Sequence, residues 1–348
     1  MNKRIGVCGS LAFHTNQIDG QTIKTKNVYD ELIKYNQFSR IFTTDTFGWR
    51  KNPVKLLINA VLMFFKSDIL IILPGKNGLG VFIRLFVWLN LFSKKNIRYI
   101  VIGGWLSEYI DQNPGISKYL NKLNGIYVES LKMKSDLETR DIKNVKHMPN
   151  FKRLDKTHII DYNTRQGPPY RFCTFSRVTK SKGIEEAIKA VTAMNFEYGY
   201  DLINLDIYGP VDPQFKERME DLIKVSNASV KYKGTVDHNA TPKTLQRYKS
   251  LLFPTFYEGE GFPGTFIDAF NVGLPVIASD WKYNNEIIQD EVNGLLFPVN
   301  DVKSLQSKII KLIELNNEDY KIICENALST SDLYRAEVVI HKFVEDLL

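Results

Sequence analysis

Cysteine is scarce in this chain. Cys8, Cys173 and Cys324 are odd in number and far apart, which argues against a disulfide framework and offers no metal-ligand spacing. Cys8 and Cys173 stand inside apolar, strand-like runs, where a thiol behaves as a small hydrophobe, and the expected setting is the reducing cytoplasm. Histidine is equally thin: His14 and His147 are expected in loops, with no partner in the sequence to give them a role. No apolar run reaches the ~20 residues a spanning helix needs; residues 54–73 are broken by Lys66 and Asp68, and 79–92 contain Arg84. No signal peptide is expected, because Met1-Asn2-Lys3-Arg4 leads straight into a short strand. Internal repeats, low-complexity tracts and nucleic-acid motifs are also absent.

What is present describes a globular chain. Its 348 residues favour two domains, and 44% hydrophobic with 24% charged residues is enough to bury a core in each. The charge is uneven. Residues 1–165 hold 26 Lys and Arg against 13 Asp and Glu, a net +13; the remainder holds 20 against 26, a net −6, giving the chain's +7. A basic first half points to an anionic partner. Arg84, Lys94, Lys95 and Arg98 surround an aromatic helix at 79–92. They suggest a peripheral position on anionic membrane lipid, where each surface cation contributes about 1 kcal/mol. Nucleic acid is the competing anionic partner, without a motif to support it.

Strand-like runs alternate with helical ones. In the first half, strands are expected at 5–8, 39–43, 68–73, 98–102 and 125–129, the last being the final strand of its domain. A helix is expected at 51–66, where Val54, Leu57, Ile58, Val61, Leu62 and Phe65 repeat every three or four residues. Residues 151–170 are polar and end in Gly167-Pro168-Pro169, which places the boundary at 165/166. Strands follow at 170–176, 202–208, 230–233, 251–253 and 274–278. Helices are expected at 184–194, 215–225, 244–249, 265–271, 302–315, 320–328 and 333–348. Strand and helix in alternation give an α/β fold with parallel sheets.

Residues 253–279, FPTFYEGEGFPGTFIDAFNVGLPVIAS, order the second half. They read as strand end, loop, helix and strand. Ligands of open parallel sheets bind beyond the carboxyl ends of strands, which is where the loop at 256–264 falls. The helix start offers free amides and a positive dipole end to a phosphate. Glu260 in the loop and Asp268 about one turn into the helix can face one ligand with phosphates in its middle and hydroxyls at each end. A nucleotide-sugar is such a ligand, and carboxylates accept strong charge-assisted hydrogen bonds from hydroxyls. An ordinary crossover with a solvated acidic loop is the plain alternative.

The stretch resembles the E-x7-E signature of retaining glycosyltransferases of family 4, which have the GT-B fold. Residues 269–278, AFNVGLPVIA, are similar to that family's AMAxGxPVIA; Asn284-Asn285-Glu286-Ile287-Ile288 and Asn293-Gly294-Leu295-Leu296-Phe297 resemble its following tail. Arg177 and Lys182, in RVTKSKG, look like the two cations of its GRL…KG element. Gly20-Gln21-Thr22 resembles its glycine-bearing loop after the first strand, and a plain turn reads equally well there. Asp268 stands where the family usually has Glu, one methylene shorter. Pro263 stands where many members have Gly, so its missing N–H must be replaced by Gly264 or Thr265.

The resemblance implies two Rossmann-like domains facing across a cleft. They are an acceptor domain at 1–165 and a donor domain at 166–328, with a terminal helix at 329–348 crossing back to the first. It implies a metal-independent, retaining hexosyltransferase without a cofactor. The donor is a nucleotide-sugar, a UDP-sugar being the common choice. The acceptor is a glycan or a lipid-linked oligosaccharide of bacterial surface polysaccharide or capsule synthesis. Glu260, Arg177 and Lys182 would serve the chemistry, with Gly264, Thr265, Asp268 and Gly20 binding the donor. A non-catalytic GT-B subunit of a partner enzyme and a GT-B sugar-nucleotide epimerase or phosphorylase stay open beside it.

Overall fold

A computed structural model describes residues 3–15, 19–154, 162–237 and 240–348. Its contacts divide the chain into two units: Met1–Lys152 with Ala336–Leu348, and Arg153–Arg335. The basic excess belongs to the first, with 24 Lys and Arg against 14 Asp and Glu, while the second holds 22 against 25. Each unit is an α/β layer structure around one six-stranded parallel sheet.

The first sheet contains β1 (Lys3–Gly9), β2 (Phe38–Asp45), β3 (Ile69–Leu73), β4 (Asn96–Ile100), β5 (Gly125–Val128) and β6 (Val145–His147), in the order β2-β1-β3-β4-β5-β6. Every residue of β3 is buried, as expected of a parallel strand covered on both faces. β6 corrects the expectation that the strand at 125–129 is the last. It pairs Val145 with Ile126 and His147 with Val128. Three residues, two of them Lys146 and His147, are too few and too polar to announce an edge strand.

The helix Ala336–Leu347 belongs to this first unit. Val339, Ile340, Phe343, Val344 and Leu347 are buried with Ile5, Val28 and Tyr127, and the Phe343 ring stands edge-on to Tyr127 at 4.7 Å. Arg98 donates to the Asp346 carbonyl at 2.9 Å and to that of Asn124 at 2.7 Å. Lys95 donates to the Phe64 carbonyl at 2.7 Å. These two cations therefore hold the fold together, contrary to the expectation that they face a membrane; Arg84 and Lys94 are exposed. Lys24 is buried, 3.5 Å from Glu129 Oε1 and 4.5 Å from the Phe151 ring centroid. It donates to Pro149 O and Asn150 Oδ1 at 3.2 Å. Burial pulls its pKa down to about 8.

The second sheet contains β7 (Tyr170–Phe175), β8 (Ile203–Tyr208), β9 (Val230–Gly234), β10 (Ser250–Phe253), β11 (Val276–Ser279) and β12 (Gly294–Phe297), in the order β12-β11-β10-β7-β8-β9. The helix expected at 244–249 is instead Thr241–Leu245. Pro242 fixes the start, because a proline is favoured in a first helical turn and needs no donor there. Lys249, left beyond the helix, is fully buried; its Nζ donates to Gln166 Oε1 at 2.7 Å and lies 3.5 Å from the Tyr320 ring centroid. Residues 155–161 of the expected linker lie outside the described residues. Arg165, from the same polar stretch, is buried within the second unit. Its guanidinium donates to the carbonyls of Gln246 at 2.9 Å, Val272 at 2.8 Å and Gly273 at 2.7 Å. The last two follow the helix Gly264–Asn271, so a cation sits at the negative end of that helix dipole. All three cysteines are free and buried.

Candidate functional site

The strand order of the second unit creates the site. β7 and β10 are neighbours, yet the chain leaves β7 toward β8 and β10 toward β11, on opposite sides. Connections that diverge in this way leave a crevice at the carboxyl ends of the two strands. The segments that enter it are residues 176–183 after β7 and 254–263 after β10.

Two glycines let these segments meet. Gly183 has φ 71°, and a Cβ there would lie 1.9 Å from the Pro254 carbonyl oxygen. Gly209, after β8, has φ 132°, and a Cβ would lie 1.7 Å from the Ser176 oxygen. Only glycine fits either position. The close approach is held by hydrogen bonds: the Phe256 amide donates to Ser181 O at 2.8 Å, and Thr255 Oγ1 lies 3.4 Å from the same oxygen. Ser279 Oγ, at the end of β11, donates to Thr255 O at 2.5 Å, and Trp281 Nε1 donates to Tyr257 O at 2.8 Å.

Three of the expected site residues come together on this frame. Lys182 Nζ donates to Glu260 Oε2 at 2.5 Å, and Thr255 Oγ1 donates to the same oxygen at 2.9 Å. The lysine and glutamate side chains are 10% and 9% exposed, so the pair is largely removed from water and its attraction is weakly screened. The Tyr257 ring gathers the cations: its centroid is 4.9 Å from Lys182 Nζ and 5.3 Å from Arg177 Cζ. Arg177 itself is exposed, leaving its donors available to an incoming anion.

Gly264, Thr265 and Asp268 stand on the helix Gly264–Asn271 that follows. Pro263 occupies its N-cap position and makes no side-chain hydrogen bond, so the helix opens uncapped. Among the described residues, Thr265 Oγ1 is one of the buried side-chain oxygens without a hydrogen-bond partner. Asp268 is 7% exposed. Phe266, Ile267 and Phe270 on the same helix are wholly buried, and Phe266 packs edge-on against Phe253 of β10 at 4.8 Å. That packing sets the direction of the helix start.

Gly20 belongs to the first unit, at the start of the helix Gly20–Leu32. Asp19 caps this helix by accepting from the Thr22 amide at 3.0 Å, and Thr22 Oγ1 lies 2.8 Å from Ser10 Oγ. Among the described residues, and leaving aside its chain neighbours and its own helix backbone, no heavy atom lies within 4 Å of a Cβ built on Gly20.

Sequence reasoning missed Thr255, Tyr257, Ser279 and Trp281. Tyr257 was within reach of a reading that asks which aromatic borders the acidic loop; the others show their part only once β10 and β11 are paired. Among the described residues no group of three or more His, Cys, Asp and Glu is placed to hold a metal ion.

Comparison with known proteins agrees with this architecture. Residues 155–329, half of the chain, match the family described as glycosyl transferases group 1. An uncharacterized glycosyltransferase of Methanocaldococcus jannaschii is 28% identical over 162 residues, covering 45% of this chain and 39% of that protein. The amylovoran biosynthesis glycosyltransferase AmsK of Erwinia amylovora is 28% identical over 148 residues, covering 41% and 36%. The chain thus spans well under half the length of these curated relatives. The crystal structure of HepE from Anabaena in complex with UDP and glucose superposes with a TM-score of 0.73 over 99% of both chains at 14% identity, a likeness of fold that places the chain in the GT-B fold class. On its matched half, this chain belongs to the glycosyl transferases group 1 family.

Proposed function

We propose that this chain is a retaining, metal-independent glycosyltransferase of the family 4 type. It moves a hexose from a nucleotide-sugar, most simply a UDP-sugar, to a hydroxyl of a glycan in bacterial surface polysaccharide assembly. The observation that carries this reading is the juxtaposition of Arg177, Lys182 and Glu260 around Tyr257 at the β7–β10 crevice. The name of AmsK, which concerns polysaccharide biosynthesis, and the UDP and glucose bound to HepE support the substrate class.

The chemistry follows from charge. In transfer, the bond from the anomeric carbon to the diphosphate oxygen breaks, and its electron pair leaves with the phosphate. Negative charge grows on the diphosphate, and positive charge grows at the sugar ring. Arg177 and Lys182 stabilise the first, together with the uncapped helix start at Gly264 and Thr265. Glu260 faces the sugar, and Asp268 accepts from the ribose hydroxyls. The acceptor oxygen attacks on the face the leaving group departs from, and its proton passes to the departing phosphate oxygen. Lys182 is held by Glu260 until the donor arrives; the diphosphate then competes for the ammonium and frees the carboxylate.

UDP binding by calorimetry and UDP release from a donor panel test this reading. Glu260→Gln is expected to keep UDP affinity within a few-fold while lowering UDP release at least about 100-fold, as when an electrostatic group acting in a transition state is removed. Arg177→Ala is expected to weaken UDP about tenfold. Unchanged turnover in Glu260→Gln would overturn the site assignment. Binding of UDP with no release from any donor would favour the non-catalytic subunit.

A further inference from the structure

The first unit carries a surface that transfer chemistry does not explain. Of 24 large hydrophobic side chains exposed among the described residues, 11 lie between residues 47 and 92. Scattered exposed apolar residues are ordinary; a concentration of this kind marks an interaction site. The helix Pro53–Lys66 explains the pattern. Its periodic stripe is Val54, Leu57, Ile58, Leu62 and Phe65, and all five are exposed, Val54 at 66% and Phe65 at 58%. The residues that it buries are Ala60, Met63 and Phe64. An amphipathic helix normally turns its longer apolar stripe to the core; this one turns it outward.

The neighbouring helix Lys76–Asn90 does the same on its outer side. Val81 is 53% exposed, Trp88 60%, and Leu91 and Phe92 just beyond it 57% and 82%. The two helices are joined beneath by the stacked rings of Phe64 and Phe86, 6.1 Å apart. Charge completes the surface. Residues 46–95 contain eight Lys and Arg and one acid, Asp68. Arg4 holds that acid at 2.7 Å. Arg50, Lys51, Lys55, Lys66, Arg84 and Lys94 are all exposed.

We infer that the outer face of the helices Pro53–Lys66 and Lys76–Asn90 docks in the plane of an anionic lipid bilayer. The apolar stripe enters the boundary between headgroups and acyl chains, and the cations meet lipid phosphates. Helices that bind in this way combine apolar side chains on one side with Lys and Arg flanking them, and Trp prefers the membrane–water interface. Spanning is not involved: no helix among the described residues is long and apolar enough to cross a membrane. A protein partner would be served by the apolar stripe alone. The near-absence of acids across fifty residues is what selects an anionic lipid surface, where each cation adds to binding within a Debye length. The inference does not depend on the proposed transfer reaction, and its test involves no turnover.

The test is co-sedimentation of the full chain with vesicles of phosphatidylcholine alone and of an equimolar mixture with phosphatidylglycerol, at low and high salt. The chain is expected to pellet with the anionic vesicles, weakly with the neutral ones, and less at high salt. Two double variants, Phe65→Ser with Trp88→Ser and Lys55→Glu with Arg84→Glu, are each expected to lower binding to anionic vesicles at least about tenfold. Their circular dichroism is expected to be unchanged, because these side chains are exposed. Equal pelleting with both vesicle types at low salt would overturn the inference, as would binding indifferent to both double variants. A lipid-free dimer abolished by Phe65→Ser with Trp88→Ser, in a chain that binds no vesicles, would assign the face to a second copy and overturn it as well.

Discussion

A buried carboxylate is informative when its partners can be named. Glu185 is 7% exposed and lies in the first turn of the helix Ile184–Tyr198, two residues after Gly183. Arg218 reaches it at 2.5 Å and Lys189 at 2.9 Å. Hydrogen bonds from Arg218 and then Lys189 lower its pKa from the ordinary 4.5 to about 2. The folded state thus releases this proton more readily than the unfolded chain. The stabilisation is complete above pH 4.5 and is lost as pH falls toward 2. Both cations are about half exposed, so screening reduces the effect to roughly 1–2 kcal/mol. Glu185→Gln is expected to flatten the loss of stability between pH 4.5 and 2, measured by urea unfolding at several pH values. An unchanged slope would place the acid sensitivity elsewhere. Arg165 teaches a complementary lesson: a polar residue in an apparent linker turns out to satisfy three carbonyls, and nothing in its neighbours announces that.

Elements were legible where periodicity ran long. The helices near 51–66 and 302–315 and the apolar strands around 69–73 and 251–253 announce themselves by spacing and by continuous burial. The candidate site was legible as a loop followed by a helix start, because glycines and acids cluster where a parallel strand ends. What the spacing could not supply was the pairing of β7 with β10, since their residues lie about eighty positions apart in the chain, and with it the parts of Thr255 and Tyr257. The periodicity of the helix Pro53–Lys66 was also visible, but not its outward direction; an apolar stripe looks the same in sequence whether it meets a core or something outside the protein. At this scale Gly183 is the sharpest test. Gly183→Ala forces a Cβ to within 1.9 Å of the Pro254 oxygen at φ 71°. It is expected to cost about 3 kcal/mol or more and to weaken the proposed UDP binding, because the Lys182 and Thr255 segments must part. Gly20→Ala, which meets nothing among the described residues, is expected to cost under about 1 kcal/mol. Equal midpoints in chemical denaturation for the two variants would overturn this account.

The chain divides into two units, and its last helix, Ala336–Leu347, packs into the unit that holds its first strand. Removing residues 336–348 takes Ile340, Phe343 and Leu347 away from Ile5, Val28 and Tyr127. It also strips the Asp346 carbonyl from Arg98, which is 8% exposed. A chain ending at Arg335 is expected to lose the unfolding transition of the first unit and keep that of the second, as read by scanning calorimetry. Retention of both transitions would show that the helix is dispensable. The same arrangement governs the order of events at the ribosome. Every residue from Arg153 to Arg335 is made after the first sheet and before its covering helix. At about 5–20 residues per second, that interval lasts on the order of ten to thirty seconds or more. The nascent first unit passes it without the helix that covers Ile5, Val28 and Tyr127, so its core closes only after the whole second unit has been made.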